Sequence, residues 1–314
     1  MTAKVTCSRC GKRAAIYFRV ESGEKLCKLC FLRSVERKIV KTIRKYSMIE
    51  EGDLVLVGLS GGKDSLVLLE ILSKLQKRYE NFTLRAVTVD EGIEGYREQG
   101  LLIAKSVAKA LGVQHETVSF KELYGFSLDE MVERASEKGL KLEPCTFCGV
   151  LRRKALNIYA SRIGATKIAT GHNLDDEAET ALINLVRGEF KRIPRFGPTT
   201  ATLGESEFVT RIKPLRFVPE KELALYAYLK GFPLYEEECR YVRRSMRGYI
   251  RDLVKQLDKK YPGTAYSIVS TFDKIAEQLR RESTPPKFLK CKICGQPATK
   301  DICRACSLLL ALRG

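Results

Sequence analysis

Cysteine holds most of the chemistry that this chain could perform. Cys7-x2-Cys10 and Cys27-x2-Cys30 form one quartet, and Cys291-x2-Cys294 and Cys303-x2-Cys306 form a second. Four thiolates at such spacing build a tetrahedral zinc site, and Gly11 and Gly295, each directly after a cysteine, suit a zinc-ribbon knuckle. Closed four-thiolate sites are structural, folding segments too small to hold a core alone. Three of the eleven cysteines remain. Cys145 and Cys148 share "PCTFCGV" (144–150), and Cys239 stands in "EEECRY". From the residues alone they are unrelated buried thiols, an attacking and resolving redox pair, or three ligands of a cluster with one open position. The C-x-x-C spacing disfavours the first reading and leaves the other two open.

A second constellation is built for phosphate. "LVLVGL" (54–59) is a buried strand, "SGGKDS" (60–65) a glycine-rich turn, and the leucines at 66, 69, 72 and 75 mark the face of a helix. Gly61 and Gly62 let backbone N–H groups face an anion, and the helix dipole adds to the attraction. Lys63 reaches phosphate oxygens, and Asp64 is placed to help hold magnesium. Gly58, Ser60 and Ser65 flank these residues, and Val89 and Gly171 end later strands of the same sheet. The loop is not a Walker A motif, whose G-x-x-x-x-G-K-[ST] spacing is absent. "TGHNLDDEAET" (170–180) supplies Asn173 as a helix cap and Asp175 and Asp176 in the first turn. Dipole stabilisation is the ordinary reading of such acids, worth ~0.3–1 kcal/mol. A pair at the carboxyl edge of the sheet, facing the phosphate loop, is also placed to organise magnesium and the reacting groups, and a lone His172 is read as structural.

Positioning these residues requires a sheet. Strands are expected at 84–93, 113–120 and 166–172, and helices at 96–112, 149–164 and 173–188. The alternation predicts an α/β fold with a doubly wound, Rossmann-like parallel sheet, which binds ligands beyond the carboxyl ends of its strands. Residues 240–259 predict an amphipathic helix with Arg240, Arg244, Arg247, Arg251, Lys255 and Lys259 as a basic stripe, and "RGEFKRIPRFGP" (187–198) is a second basic candidate. Arg152, one turn past Cys148, is expected to face the same site as a phosphate contact, whereas Lys154 suits either a site or a solvated surface.

Bulk composition narrows the partners. In 314 residues, Lys and Arg outnumber Asp and Glu by 56 to 38, a formal net charge of +18, which favours nucleic acid. No apolar run is long enough to span a membrane and the N-terminus has no signal core, so a cytoplasmic protein is expected. In that compartment cysteines serve as ligands or reactive thiols rather than disulfides. Few Asn and Gln beside many Lys, Arg and Glu is the composition of a thermophile.

"SGGKDS", "TGHNLDDEAET", "PCTFCGVLRRK", "IKPLR" (212–216) and a downstream cysteine together resemble the tRNA thiolases among the PP-loop ATP pyrophosphatases. The terminal quartets make the chain similar to the two-zinc-finger, TtuA-like tRNA 2-thiouridine synthetases. This resemblance implies ATP-dependent adenylation of a uridine C2 oxygen, attack by sulfur, and release of AMP and pyrophosphate. It implies ATP, Mg2+, two Zn2+ and a 4Fe–4S cluster on Cys145, Cys148 and Cys239 with one iron left open, and catalytic roles for these cysteines, Lys63, Arg152 and Asp176. It further implies tRNA as substrate, a ubiquitin-like sulfur carrier with a C-terminal thiocarboxylate, and a homodimer. The expected divisions are a zinc ribbon at 1–35, the PP-loop domain at 36–238, a basic helical segment at 239–286 and a second ribbon at 287–314. The T-loop uridine is the favoured target and the wobble uridine the next. Cytidine 2-thiolation, another PP-loop ligase and a zinc-ribbon binding protein with an inert ATP site are the competing readings.

Overall fold

The N-terminal quartet closes on a short hairpin of β1 (Tyr17–Arg19) and β2 (Glu24–Leu26). Cys27 is the N-cap of α1 (Lys28–Lys45), so Cys30 already lies on this helix. The helix runs unbroken through 35/36, where a domain boundary was expected. Its buried Phe31, Val35 and Ile39 join the core of the main domain. The structure, a computed structural model, describes residues 5–200, 208–233, 239–241, 246–282 and 288–313.

The main domain alternates β3 (Leu54–Gly58), α2 (Lys63–Tyr79), β4 (Thr83–Asp90), α3 (Arg97–Leu111) and β5 (Gln114–Ser119). After α4 (Phe120–Tyr124) and α5 (Leu128–Glu137), both opened by Ser–Glu capping boxes, come α6 (Pro144–Arg162), β6 (Lys167–Ala169), α7 (Leu174–Val186), β7 (Thr210–Ile212) and α8 (Glu220–Lys230). The five strands pair in parallel in the order β5-β4-β3-β6-β7. Successive side chains of a strand point to opposite faces, and both faces here are covered. On β3, Val55 and Val57 enter the core under α1, α2 and α8, while Leu56 enters the core under α5 and α6. The order reverses between β3 and β6, and the turns after these strands therefore flank the crevice where such sheets bind ligands.

Two helices, α9 (Met246–Lys260) and α10 (Thr264–Glu282), pack on α7 through Ile250, Val254, Val269 and Phe272. The chain ends in the second ribbon, β8 (Leu289–Lys290), β9 (Pro297–Ala298) and α11 (Arg304–Arg313). Ala305, Leu308 and Leu312 of α11 enter the same core as Phe147, Leu151 and Ala155 of α6.

Three expectations shift. The helix assigned to 149–164 begins at Pro144, a favourable first position, so the Cys145–Cys148 pair occupies its first turn. The strand assigned to 166–172 pairs only over 167–169. Arg240 lies in a turn rather than on α9, and Arg244 lies outside the described residues.

Candidate active site

Gly61 has φ +83°, and a Cβ there would stand 2.2 Å from the carbonyl oxygen of Gly100 on α3, so only glycine fits. The loop is tied internally: Ser65 Oγ accepts from the Ser60 amide at 3.1 Å and donates to the Gly62 carbonyl at 2.9 Å. Gly62 caps α2, aiming its N-terminus into the crevice. Gly171 approaches from the other strand, where a Cβ would lie 3.2 Å from the Ser65 nitrogen. Gly58 has ordinary clearance, and Val89 is buried, offering the site backbone only.

Asp64 sits on the crevice floor. Its Oδ2 accepts from Asn173 Nδ2 at 3.1 Å and lies 3.8 Å from Lys63 Nζ, while Oδ1 is buried without a partner among the described residues. Burial pushes its carboxyl up to about 7, against the opposing pull of Lys63 and with help from Asp176 and Glu220. An unpartnered buried carboxylate oxygen beside a phosphate-type loop suits a divalent cation. Lys63 bonds Glu220 Oε1 at 2.8 Å and, despite burial, keeps a raised pKa through Asp64 and Glu220.

The two acids of α7 have separate duties. Asp176 forms a reciprocal capping box with Asn173, which itself holds Asp64, so Asp176 stands one residue behind the crevice. Asp175 Oδ2 accepts from the Glu220 amide at 2.7 Å and so anchors the start of α8. His172 bonds the Thr170 hydroxyl at 2.8 Å, and burial lowers its pKa, favouring the neutral ring. Lys213 and Arg216 of "IKPLR" lock onto buried Glu177, and Arg216, fully buried, also holds Asp273 of α10. That motif braces the sheet edge against α7 and α10.

Cys145, Cys148 and Cys239 converge at the start of α6. Cys145 Sγ lies 3.6 Å from the Tyr241 carbonyl, which brings the segment after Cys239 against it. Burial raises the thiol pKa of Cys145 and of Cys148, and the charge of Cys239 adds to both shifts. Arg152 Nη2 donates to Cys148 Sγ at 2.8 Å, and Arg152 Nε lies 2.6 Å from the carboxylate of Glu91. The expected phosphate contact is here a partner of sulfur. Three thiols with one cation, held apart rather than in a tight quartet, suit a multi-iron cluster or a set of reactive thiols.

The two quartets fit single metal ions. In each, all four sulfurs lie within 4.8 Å of one another. Burial opposes ionisation in both quartets; backbone N–H groups nonetheless bring Cys7 and Cys291 down to about 6, while burial beside the other sulfurs pushes Cys30 and Cys306 up to about 12. Lys154 Nζ donates to Cys294 Sγ at 2.9 Å and approaches Cys306 and Cys303 at 3.4 and 3.6 Å. Lys154 is therefore held against sulfur rather than standing as a solvated surface charge.

Between α6, α7 and the second ribbon lies a cleft of ≈ 910 Å³ with Cys145 and His172 in its wall. Arg153, Arg187, Arg195 and Arg304 line it with no acidic partner among the described residues. Burial, then Arg152 and Arg192, lowers the Arg153 pKa, the mark of crowded positive charge. The α9 stripe is different. Arg247 and Arg251 bond buried Glu179 at 2.9 and 3.1 Å, and Lys255 pairs with Glu220 at 3.3 Å. Of the two basic candidates, the 187–198 loop faces the cleft and the α9 stripe is largely neutralised. Sequence reading passed over Glu91, Arg97, Glu177 and Glu220. Their partners lie on other elements, and only the motif neighbours "VDEGI" and "IKPLR" hinted at them.

A parallel sheet with a glycine-rich anion loop at its switch point and an acid-capped helix opposite defines a nucleotide-binding α/β protein of the PP-loop class. The PP-loop domain model matches residues 32–257, and the chain belongs to this family, in the group of tRNA 2-thiolation proteins. It is 38% identical over 319 residues to the tRNA 2-thiolation protein NcsA of Haloferax volcanii, covering 96% of this chain and 98% of that one. Cytoplasmic tRNA 2-thiolation protein 1 of Chlamydomonas reinhardtii is 37% identical, covering 98% and 84%. Among solved structures, the U34-tRNA thiolase NcsA from Methanococcus maripaludis with its [4Fe-4S] cluster superposes with a TM-score of 0.82 at 36% identity, covering 98% of this chain and 96% of that one.

Proposed function

We propose that this protein is an ATP-dependent tRNA-uridine 2-sulfurtransferase. The observation that carries the reading is the placement of the SGGKDS loop, the cysteine trio and a cationic cleft around one carboxyl edge of the sheet. The loop amides and Lys63 would hold the phosphates of ATP, with Asp64 sharing a magnesium ion and Asp176 fixing Asn173 behind it. A carbonyl oxygen is a poor leaving group. Adenylation of the uridine C2 oxygen, with pyrophosphate released, converts it into one that departs as AMP when sulfur attacks C2. Bound by Cys145, Cys148 and Cys239, a 4Fe–4S cluster would supply an iron with an open position for sulfur. Arg152 would hold positive charge against the sulfur of Cys148, and Arg153, Arg187 and Arg195 would take the tRNA backbone, leaving base choice to the pocket that accepts an unstacked nucleotide. The two quartets would each hold Zn2+.

For the target base, the name of the solved relative supports the wobble uridine, whereas composition alone favoured the T-loop uridine. A ubiquitin-like carrier with a C-terminal thiocarboxylate is the proposed sulfur donor, and a homodimer the proposed assembly. The test is anaerobic incubation of cluster-loaded protein with ATP, Mg2+, sulfide and tRNA, followed by nucleoside mass spectrometry and assay of AMP. Stoichiometric AMP and a 2-thiouridine mapped to one position support the reading. Thiouridine formed without ATP, or ATP cleavage without tRNA thiolation, would overturn it.

A further inference from the structure

Glu91 stands just past β4, 1 % exposed, with two guanidinium groups against its carboxylate. Arg97 Nε and Arg152 Nε each lie 2.6 Å from it, and its oxygens have no hydrogen-bonding partner beyond this pairing among the described residues. Both arginines reach onward. Arg97 donates to the Val89 carbonyl at 3.0 Å and to the Ser60 carbonyl at 3.3 Å, the first residue of the phosphate loop. Arg152 donates to Cys148 Sγ at 2.8 Å. The contacts form an unbroken chain from the loop through Arg97, Glu91 and Arg152 to the sulfur.

A buried carboxylate between two cations is held by strong, short, directional contacts; removing it leaves buried Arg97 uncompensated and frees the half-exposed Arg152 from the contact that aims it. Two long side chains that share one anion cannot move independently. A shift of Arg97 with the loop must be answered at Arg152, and Gly100 packed on Gly61 ties α3, which carries Arg97, to the same loop.

We propose that Glu91 is a positioning residue that sets Arg152 against Cys148 and couples the occupancy of the phosphate loop to the environment of that sulfur. The inference rests on the reading of SGGKDS as the nucleotide site and of the trio as the sulfur site. It gives the enzyme a means of preparing the sulfur side only when the activating nucleotide is present.

The test uses the full, zinc-loaded, cluster-free protein at one fixed pH. The rate of Cys148 alkylation by iodoacetamide is read by peptide mass spectrometry with and without saturating Mg·ATP, and ATP affinity is measured separately by calorimetry. In the wild type, ATP changes the Cys148 rate on the order of fivefold, the low end of coupling between sites. In Glu91→Gln, and independently in Arg97→Lys, ATP still binds within about threefold while the change at Cys148 shrinks to under about 1.5-fold. An undiminished ATP response in both variants overturns the proposal, as does ATP binding to the wild type with no change at Cys148. Failure of the wild type to bind ATP would sink the nucleotide reading and this inference with it. In the cluster-loaded protein reduced by dithionite to the paramagnetic 1+ state, an ATP-dependent change in the cluster's paramagnetic resonance spectrum that is lost in Glu91→Gln supports the proposal, and one retained unchanged counts against it.

Discussion

The two ribbons share a ligand set and both dock by apolar packing, yet the polar contacts that accompany the packing differ. The N-terminal ribbon docks through buried Leu26 and Phe31 and adds a buried charge cluster. Arg19, on β1, bonds Glu222 of α8 at 2.6 Å, and Lys38 of α1 reaches the same fully buried carboxylate at 3.2 Å. The C-terminal ribbon docks by apolar packing of α11 on α6, with Lys154 reaching from α6 to the sulfurs of the quartet. Each ribbon thus braces a different half of the site. Glu222 is on the helix that begins with Glu220, the partner of Lys63, and α6 begins with Cys145 and Cys148. An identical ligand set is compatible with separate mechanical roles, and the docking contacts decide which role.

The comparison breaks most visibly at Glu222. Glu222→Ala removes the fully buried anion that Arg19 and Lys38 share, leaving Glu24 beside Arg19 and the Tyr266 hydroxyl beside Lys38, and is expected to destabilise the fold by about 3 kcal/mol, read by urea unfolding followed by circular dichroism. Next comes Leu312→Ala in α11. Its cavity should cost roughly 2–5 kcal/mol by the same measurement and disturb the α6 side while leaving Mg·ATP affinity intact. A larger loss of ATP affinity than of cluster loading in Leu312→Ala would contradict the division. Lys154→Met separates the ribbons by metal rather than by fold. Loss of this outer contact should weaken zinc at the C-terminal quartet on the order of tenfold in competition with a chelator, with the N-terminal quartet unchanged.

The last effect is a pH drift at the nucleotide end. The carboxyl of Asp64 is raised to about 7 in the fold from an ordinary 3.8, so the native state keeps a proton that the unfolded chain has already lost. Its contribution is most favourable below the unfolded value and fades as pH rises toward about 7. Asp64→Asn should remove this part of the slope, a difference on the order of 5 °C in melting temperature across that range. An identical slope in the variant would mean that another group is responsible.

Much of this was legible in the residues. Local rules set the quartets, the strand–turn–helix around Gly61 and the cap at Asn173, because each depends on neighbours within a few positions. Four strands of the parallel sheet followed from alternation, while the short edge strand β7 went unread, and the family followed from the motifs together. What escaped was pairing across elements. The stripe on α9 has the spacing of a phosphate-binding face, but Glu179, on α7, neutralises two of its members. Arg152 was placed near Cys148 by helical geometry, yet Glu91, which aims it, is sixty-one positions away. Lys154 gave no sign that sulfur would be its partner, since the ribbon it touches is more than a hundred residues downstream.

The clash between Gly61 and Gly100 has a consequence for recombination. The loop and the first turns of α3 interlock through two missing side chains, so neither segment can vary alone. A chimera that imports residues 54–65 from a distant homologue inherits a shape fitted to that homologue's own 97–104. The exchangeable module is therefore the pair of segments, although the strand β4 and the helix α2 separate them along the chain.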